Sequence, residues 1–206
     1  MRCKLCGKPT GKFGATCHPE CKQKLLTELL EMDAIMSAFE KGEFSRREAI
    51  SQLIRASSTE YIQKLFWDNI PSKSDIRTYE HLLFCHRFVE VSEEKHRCRM
   101  ERTGLSYARY PQWKSAPQKI CDMASLALTD GGVYFLDLNT FYIPYNKIVD
   151  VGIDTLFTKK EVYFDVKTSS PHRHRYHFWA VDKKDKDFSE NACSIIRLMA
   201  GIDSEK

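Results

Sequence analysis

An α+β fold follows from three features of this 206-residue sequence. Paired cysteines crowd residues 1–24, helical periodicity fills 25–71, and short β-branched and aromatic runs dominate the rest before one last helical pattern. The expected organisation is a small metal-bearing unit over 1–24, a helical spacer over 25–71, a connecting segment over 72–97, and a β domain with a C-terminal helix over 98–206.

Hydrophobic residues make up 42% and charged residues 29% of the chain, which is too apolar for general disorder. No run approaches the ~18 uninterrupted apolar residues of a membrane span. The N-terminus is basic and cysteine-rich with no apolar core, so it does not read as a secretory signal. A cytoplasmic, reducing setting is therefore expected, where clustered thiols hold metal rather than form disulfides. The net charge of +4 is uneven: residues 1–24 hold six bases against Glu20 alone, whereas residues 25–70 hold eight acids against five bases. Such a basic knob suits phosphate or another anionic surface.

The cysteine pattern is the strongest chemical signal. Cys3-x2-Cys6 ends in Gly7, whose permissive backbone allows the tight turn that aims two thiolates at one ion. Cys17-x3-Cys21 meets a helix start, with Pro19 as the first helical residue and Glu20 near the positive end of the dipole. That dipole, with Lys4, Lys22 and Lys24, is expected to ease thiol deprotonation. Four sulfurs at this spacing predict one structural Zn2+ held by Cys3, Cys6, Cys17 and Cys21. His18 is an alternate ligand, because His18-x2-Cys21 is also legitimate spacing. CKLCGK and TCHPECK together resemble a short treble-clef zinc finger.

Beyond Lys22 a broad apolar stripe (Leu25, Leu26, Leu29, Leu30, Met32, Ile35, Met36, Phe39) predicts a helix that Lys41-Gly42 ends. Ser45 and Glu48 form a capping box for a second helix, and Ser57 with Glu60 repeats the pattern before a third. Asn69-Ile70-Pro71 stops the run. Leu82 to Val91 fits a helix end and a strand equally well. From there the pattern is of strands: ASLALT, a turn at Asp130-Gly131-Gly132, VYFLDL, FYIPY, KIVDVGID, EVYFDVKT and HRYHFWAV. Pro144 suits an edge or strand end. A last helix, with Asp187 and Glu190 near its start, carries Ala192, Ile195, Ile196, Leu198 and Met199.

Successive antiparallel strands and one amphipathic helix suggest a barrel or sandwich capped by that helix. ASLALTDGGVYF, FYIPYNKIVDVGID, YHFWA and the final helix resemble bacterial pleckstrin-homology-like (PH-like) and GRAM-like domains. The resemblance implies a non-enzymatic binding or scaffolding fold whose partners are phosphoinositides, proteins or neither. No basic cluster between the first two strands matches the lipid-binding members, so a membrane surface is the less favoured partner.

Catalytic motifs are missing: there is no Gly-x-Ser-x-Gly elbow, P-loop or dinucleotide fingerprint. On a strand, His172 and His174 would share one face as a chelating pair, with Asp165 and Asp182 the carboxylates nearest in sequence. The reading is a non-enzymatic adaptor, of bacterial or phage type, that engages a protein partner. One alternative is nucleic-acid binding through Arg2, Lys4, Lys8, Lys12, Lys22 and Lys24, extended by Arg97, Arg99, Arg102, Arg173 and Arg175. The other is a metal-dependent enzyme built on His172 and His174.

Overall fold

The computed structural model describes residues 2–11, 17–68, 70, 76–77, 80–91, 124–136, 141–156, 159–167, 173–180 and 187–202. Three helices come first: α1 (Pro19–Glu40), α2 (Arg46–Ser57) and α3 (Glu60–Trp67). Seven strands follow: β1 (Leu82–Val91), β2 (Ala124–Thr129), β3 (Gly132–Leu136), β4 (Phe141–Pro144), β5 (Ile148–Leu156), β6 (Lys159–Lys167) and β7 (Arg173–Ala180). A 3-10 turn at Tyr145–Lys147 joins β4 to β5, and α4 (Phe188–Ala200) closes the described chain.

The strands form one antiparallel sheet in the order β4-β3-β2-β1-β7-β6-β5. The architecture is α+β, as the sequence predicts, but the sheet does not close into a barrel. β4 and β5 are consecutive in the chain yet occupy opposite ends of the strand order, and among the described residues they do not pair.

β1 resolves the segment that the sequence leaves between helix and strand. It lies in the middle of the sheet, with Cys85 opposite Ala127 of β2 and Val89 opposite Trp179 of β7. Its ambiguous pattern has a physical cause. Leu82, Leu83 and Cys85 are all buried, and Phe84 packs against Phe66 of α3 at 6.2 Å between ring centroids. Cover on both faces removes the apolar–polar alternation that marks a half-exposed strand. The sheet thus begins inside the segment expected to be a connection, before Cys98.

The apolar faces of the helical stretch find their partners in the sheet. Met32 and Ile35 of α1, Leu53 of α2, and Ile62 and Phe66 of α3 share one continuous core with the sheet and with Ile195, Ile196 and Leu198 of α4. Across the inside of the curled sheet, Phe135 of β3 meets Phe164 of β6 and Tyr176 and Phe178 of β7 ring against ring.

Local signals set most helix ends. α1 stops at Glu40, with Gly42 at φ +76°. Ser45 and Glu48 make the expected reciprocal capping box on α2. The second expected box does not form. Ser57 is the last residue of α2 and donates to the Ile54 carbonyl, while Thr59 occupies the N-cap of α3 and donates its hydroxyl to Glu28 of α1. At α4, Asp187 stands at the N-cap without a side-chain cap bond.

Two hairpin features hold β2, β3 and β4 together. The N–H groups of Gly131 and Gly132 donate to the Thr129 hydroxyl, which itself donates to Glu80 at 2.5 Å. Gly132 is required by close approach: a Cβ there would sit 2.5 Å from the Ile143 carbonyl oxygen.

α2 also caps α4. The Arg46 guanidinium donates to the carbonyls of Leu198 (2.7 Å) and Met199 (2.6 Å), satisfying helix-end acceptors and meeting the negative end of the dipole. Gly201 takes the left-handed conformation at φ +71°, and a Cβ there would come within 2.8 Å of that guanidinium. Replacing Arg46→Met should lower unfolding free energy by about 1–2 kcal/mol, because a charged donor leaves two partly buried carbonyls. Urea melts should show a lower midpoint with an unchanged slope.

Candidate metal centre

The N-terminal hairpin is a local consequence of its sequence. Gly7, at φ +72°, lets its N–H reach the Cys3 carbonyl at 2.9 Å, and Cys3 N–H donates to Lys8 at 2.8 Å. An antiparallel bridge between Arg2 and Pro9 closes the turn. Cys3 and Cys6 therefore sit on one knuckle. His18 is the N-cap residue of α1, Pro19 begins the helix, and Cys21 projects from its first turn.

Fold and helix start bring four donors together: the ligand atoms of Cys3, Cys6, His18 and Cys21 all lie within 4.8 Å of one another. This is the one such group among the described residues. It differs from the preferred expectation in a single member. Cys17 lies beside the cluster but outside the donor group, and the alternate ligand, His18, takes its place. The reason is positional: a residue at the N-cap faces the same side as one three positions on in the first turn, and Cys17 precedes the cap.

The imidazole is oriented for this role. His18 Nε2 donates to the Pro9 carbonyl at 2.9 Å, which leaves Nδ1 facing Cys6 Sγ at 3.2 Å and Cys21 Sγ at 3.9 Å. A backbone carbonyl on the far nitrogen is the usual device for fixing the tautomer of a metal-binding histidine. It also raises the His18 pKa, followed in effect by the Cys6 side chain.

The thiols divide in character. Burial works against ionisation of Cys3, but the N–H groups of Cys6, His18 and Leu5 converge on its sulfur and hold its pKa down to about 6. Burial, reinforced by Cys6, pushes Cys21 up to about 11. A cation at the centre of the cluster would add positive charge beside all four donors.

Two contributors come from α3, 40 and 59 residues from their partners in sequence, and no local pattern announces them. The Tyr61 hydroxyl lies 4.0 Å from Cys21 Sγ, and Lys64 donates to the Leu5 carbonyl at 3.0 Å. Cys3, Leu5 and Cys21 form a small buried cluster against Leu25 and Tyr61.

The remaining candidates separate clearly. Arg2, Lys4, Lys8, Lys22 and Lys24 are all exposed around the finger, and Lys24 lies over the Tyr61 ring at 4.8 Å. Lys12, Arg97, Arg99, Arg102, His172 and Asp182 lie outside the described residues. Arg173 and His174 stand opposite Lys167 and Val166 in the β6–β7 ladder. Arg175 donates to Asp165 through two bonds of 2.6 and 2.9 Å and stacks over Tyr163. Among the described residues no helix is long and apolar enough to cross a membrane.

No family model matches the chain, and no curated protein matches it. Solved structures do. The C-terminal phosphotyrosine interaction domain of APBB2 from mouse is 11% identical, over 66% of this chain and 99% of that one, with a TM-score of 0.36. A complex of PDZ-RhoGEF DH/PH domains with GTP-γ-S activated RhoA is 10% identical, over 89% of this chain and 58% of that one, with a TM-score of 0.35. These likenesses are distant, and the fold described above rests on strand order and packing alone.

The donor set has a direct test by cobalt titration, reading thiolate-to-metal charge transfer. Cys17→Ser should keep one full equivalent of bound ion, whereas Cys3→Ser and His18→Ala should each weaken binding by at least about tenfold. Equal losses for Cys17→Ser and His18→Ala would contradict the grouping.

Proposed function

We propose that this chain is a non-enzymatic, zinc-containing adaptor whose finger and PH-like sheet domain engage a protein partner. The observation that carries the metal assignment is the set of three thiols and one oriented imidazole within 4.8 Å. Sulfur-rich, four-donor sites favour zinc. Four protein ligands also fill a tetrahedral shell, which is the pattern of structural rather than catalytic zinc. Bound there, the ion would cross-link the hairpin to α1 and supply folding energy to a unit with too little apolar surface of its own.

The chain's own residues define what this cross-link positions. His18 and Cys21 fix the first turn of α1, and Tyr61 and Lys64 tie the knuckle to α3. The finger is thereby a rigid extension of the helical layer, and the helical layer shares its core with the sheet. A reducing, cytoplasmic setting would keep the clustered thiols free to hold the metal.

A second reading has its own support: Arg2, Lys4, Lys8, Lys22 and Lys24 present five exposed bases on the finger. The two readings part in one pair of measurements. In a pull-down from the native host, the full chain should retain a protein that a Cys3→Ser/Cys21→Ser chain does not. Against random DNA and RNA, the adaptor reading expects no binding at low salt; binding that falls steeply with salt establishes the nucleic-acid reading instead. Chelation should lower the thermal midpoint of the wild-type chain and leave that of the double variant unchanged.

A further inference from the structure

The outer face of α1 carries a pattern that the core does not use. Lys22, Leu26, Leu30 and Asp33 follow one another at helical spacing, and all four are exposed. Leu26 and Leu30 leave 50% and 57% of their surface in water, although they belong to a helix whose opposite face already buries Cys21, Met32 and Ile35. Exposed Ala34 extends the strip. Among the described residues α1 thus has two apolar faces, one covered by the fold and one not.

Charge is arranged in opposite senses at the two ends of this strip. Lys22 lies at the finger end, near exposed Lys4 and Lys8 of the basic hairpin. Asp33 lies at the other end, beside Asp187 at the start of α4. Partial burial, and then the charge of Asp187, raise the Asp33 carboxyl above its ordinary range. A cation placed there relieves a like-charge contact.

A strip that reads basic, apolar, apolar, acidic is complementary to itself only when reversed. We propose that α1 packs antiparallel against α1 of a second copy of this chain, about a two-fold axis passing between Leu26 and Leu30. Each Leu26 then meets Leu30 of the other copy, and each Lys22 comes within reach of Asp33 of the other copy. Parallel pairing is disfavoured because it sets Lys22 against Lys22 and Asp33 against Asp33. The contact is isologous and closed, as two-fold dimers are. A 22-residue helix is about 33 Å long. One face of it covers well under the ~1,600 Å² of a standard interface, so the association is weak and concentration-dependent.

Sedimentation equilibrium of the zinc-loaded full chain tests this. The weight-average mass should climb from 24.0 kDa toward twice that value as concentration approaches about 1 mM. Leu26→Glu/Leu30→Glu should remain at the single-chain mass. Lys22→Glu alone and Asp33→Lys alone should each weaken self-association about tenfold, and the two combined in one chain should restore it. Thermal melts and metal content establish that each variant is folded; if the glutamates unfold the chain, the charge-swap series decides by itself. A single-chain mass throughout overturns the proposal. So does an undiminished dimer in the leucine variant, or a combined charge swap that recovers nothing.

Discussion

The pairing of β1 with β2 along one edge and with β7 along the other holds the two parts of the sheet together. β2, β3 and β4 form one meander, and β5, β6 and β7 form another. Neither contains the strand that joins them. β1 comes from the segment before them, and the same strand packs against α2 and α3 on its outer face. A single ten-residue element therefore couples the helical layer, both meanders and the central core. Its first residues are apolar on both sides because both sides are covered, and central strands tolerate little else.

The metal centre has the opposite character. Its first two donors are placed by one turn and its last two by one helix start, so its geometry is almost wholly local. The fold adds the remainder: Tyr61 and Lys64 reach it from α3, and Leu25 lies against both the small cysteine cluster and the main core. A cluster of Cys3, Leu5 and Cys21 is too small to stabilise a hairpin by burial alone. The donor cluster thus joins the N-terminal hairpin to a body that has its own apolar core.

Between these extremes lies the turn after β2. The Thr129 side chain is wholly buried, accepts two backbone N–H bonds from the turn, and donates to Glu80. Its carbonyl accepts from the buried Tyr145 hydroxyl, and Asp130 accepts the His81 N–H. Here the hairpin sequence specifies the turn, while residues entering β1 and leaving β4 supply the partners. Buried polar groups are tolerated when their bonds are made in this way.

How much was legible in the residues follows from the range of the interactions. The knuckle at Cys3 and Cys6, the capping box at Ser45 and Glu48, the stop at Gly42 and the Asp130-Gly131-Gly132 turn depend on neighbours within a few positions, and the sequence shows them directly. The choice of His18 over Cys17 was open, because spacing permits either and only the direction in which the N-cap side chain points distinguishes them. Ser57 misled because its pattern with Glu60 matches a capping box, whereas α3 has Thr59 at its N-cap, with the hydroxyl given to Glu28 rather than to the helix. Arg175 reads as a surface base until Asp165, one strand away, claims it. By itself the sequence determined the α+β class, the four-donor neighbourhood at the N-terminus and most helix ends, all products of short-range sterics and hydrogen bonding. Only the tertiary structure decided that β1 is the central strand and that the sheet stays open, because each depends on packing between segments that the chain keeps far apart.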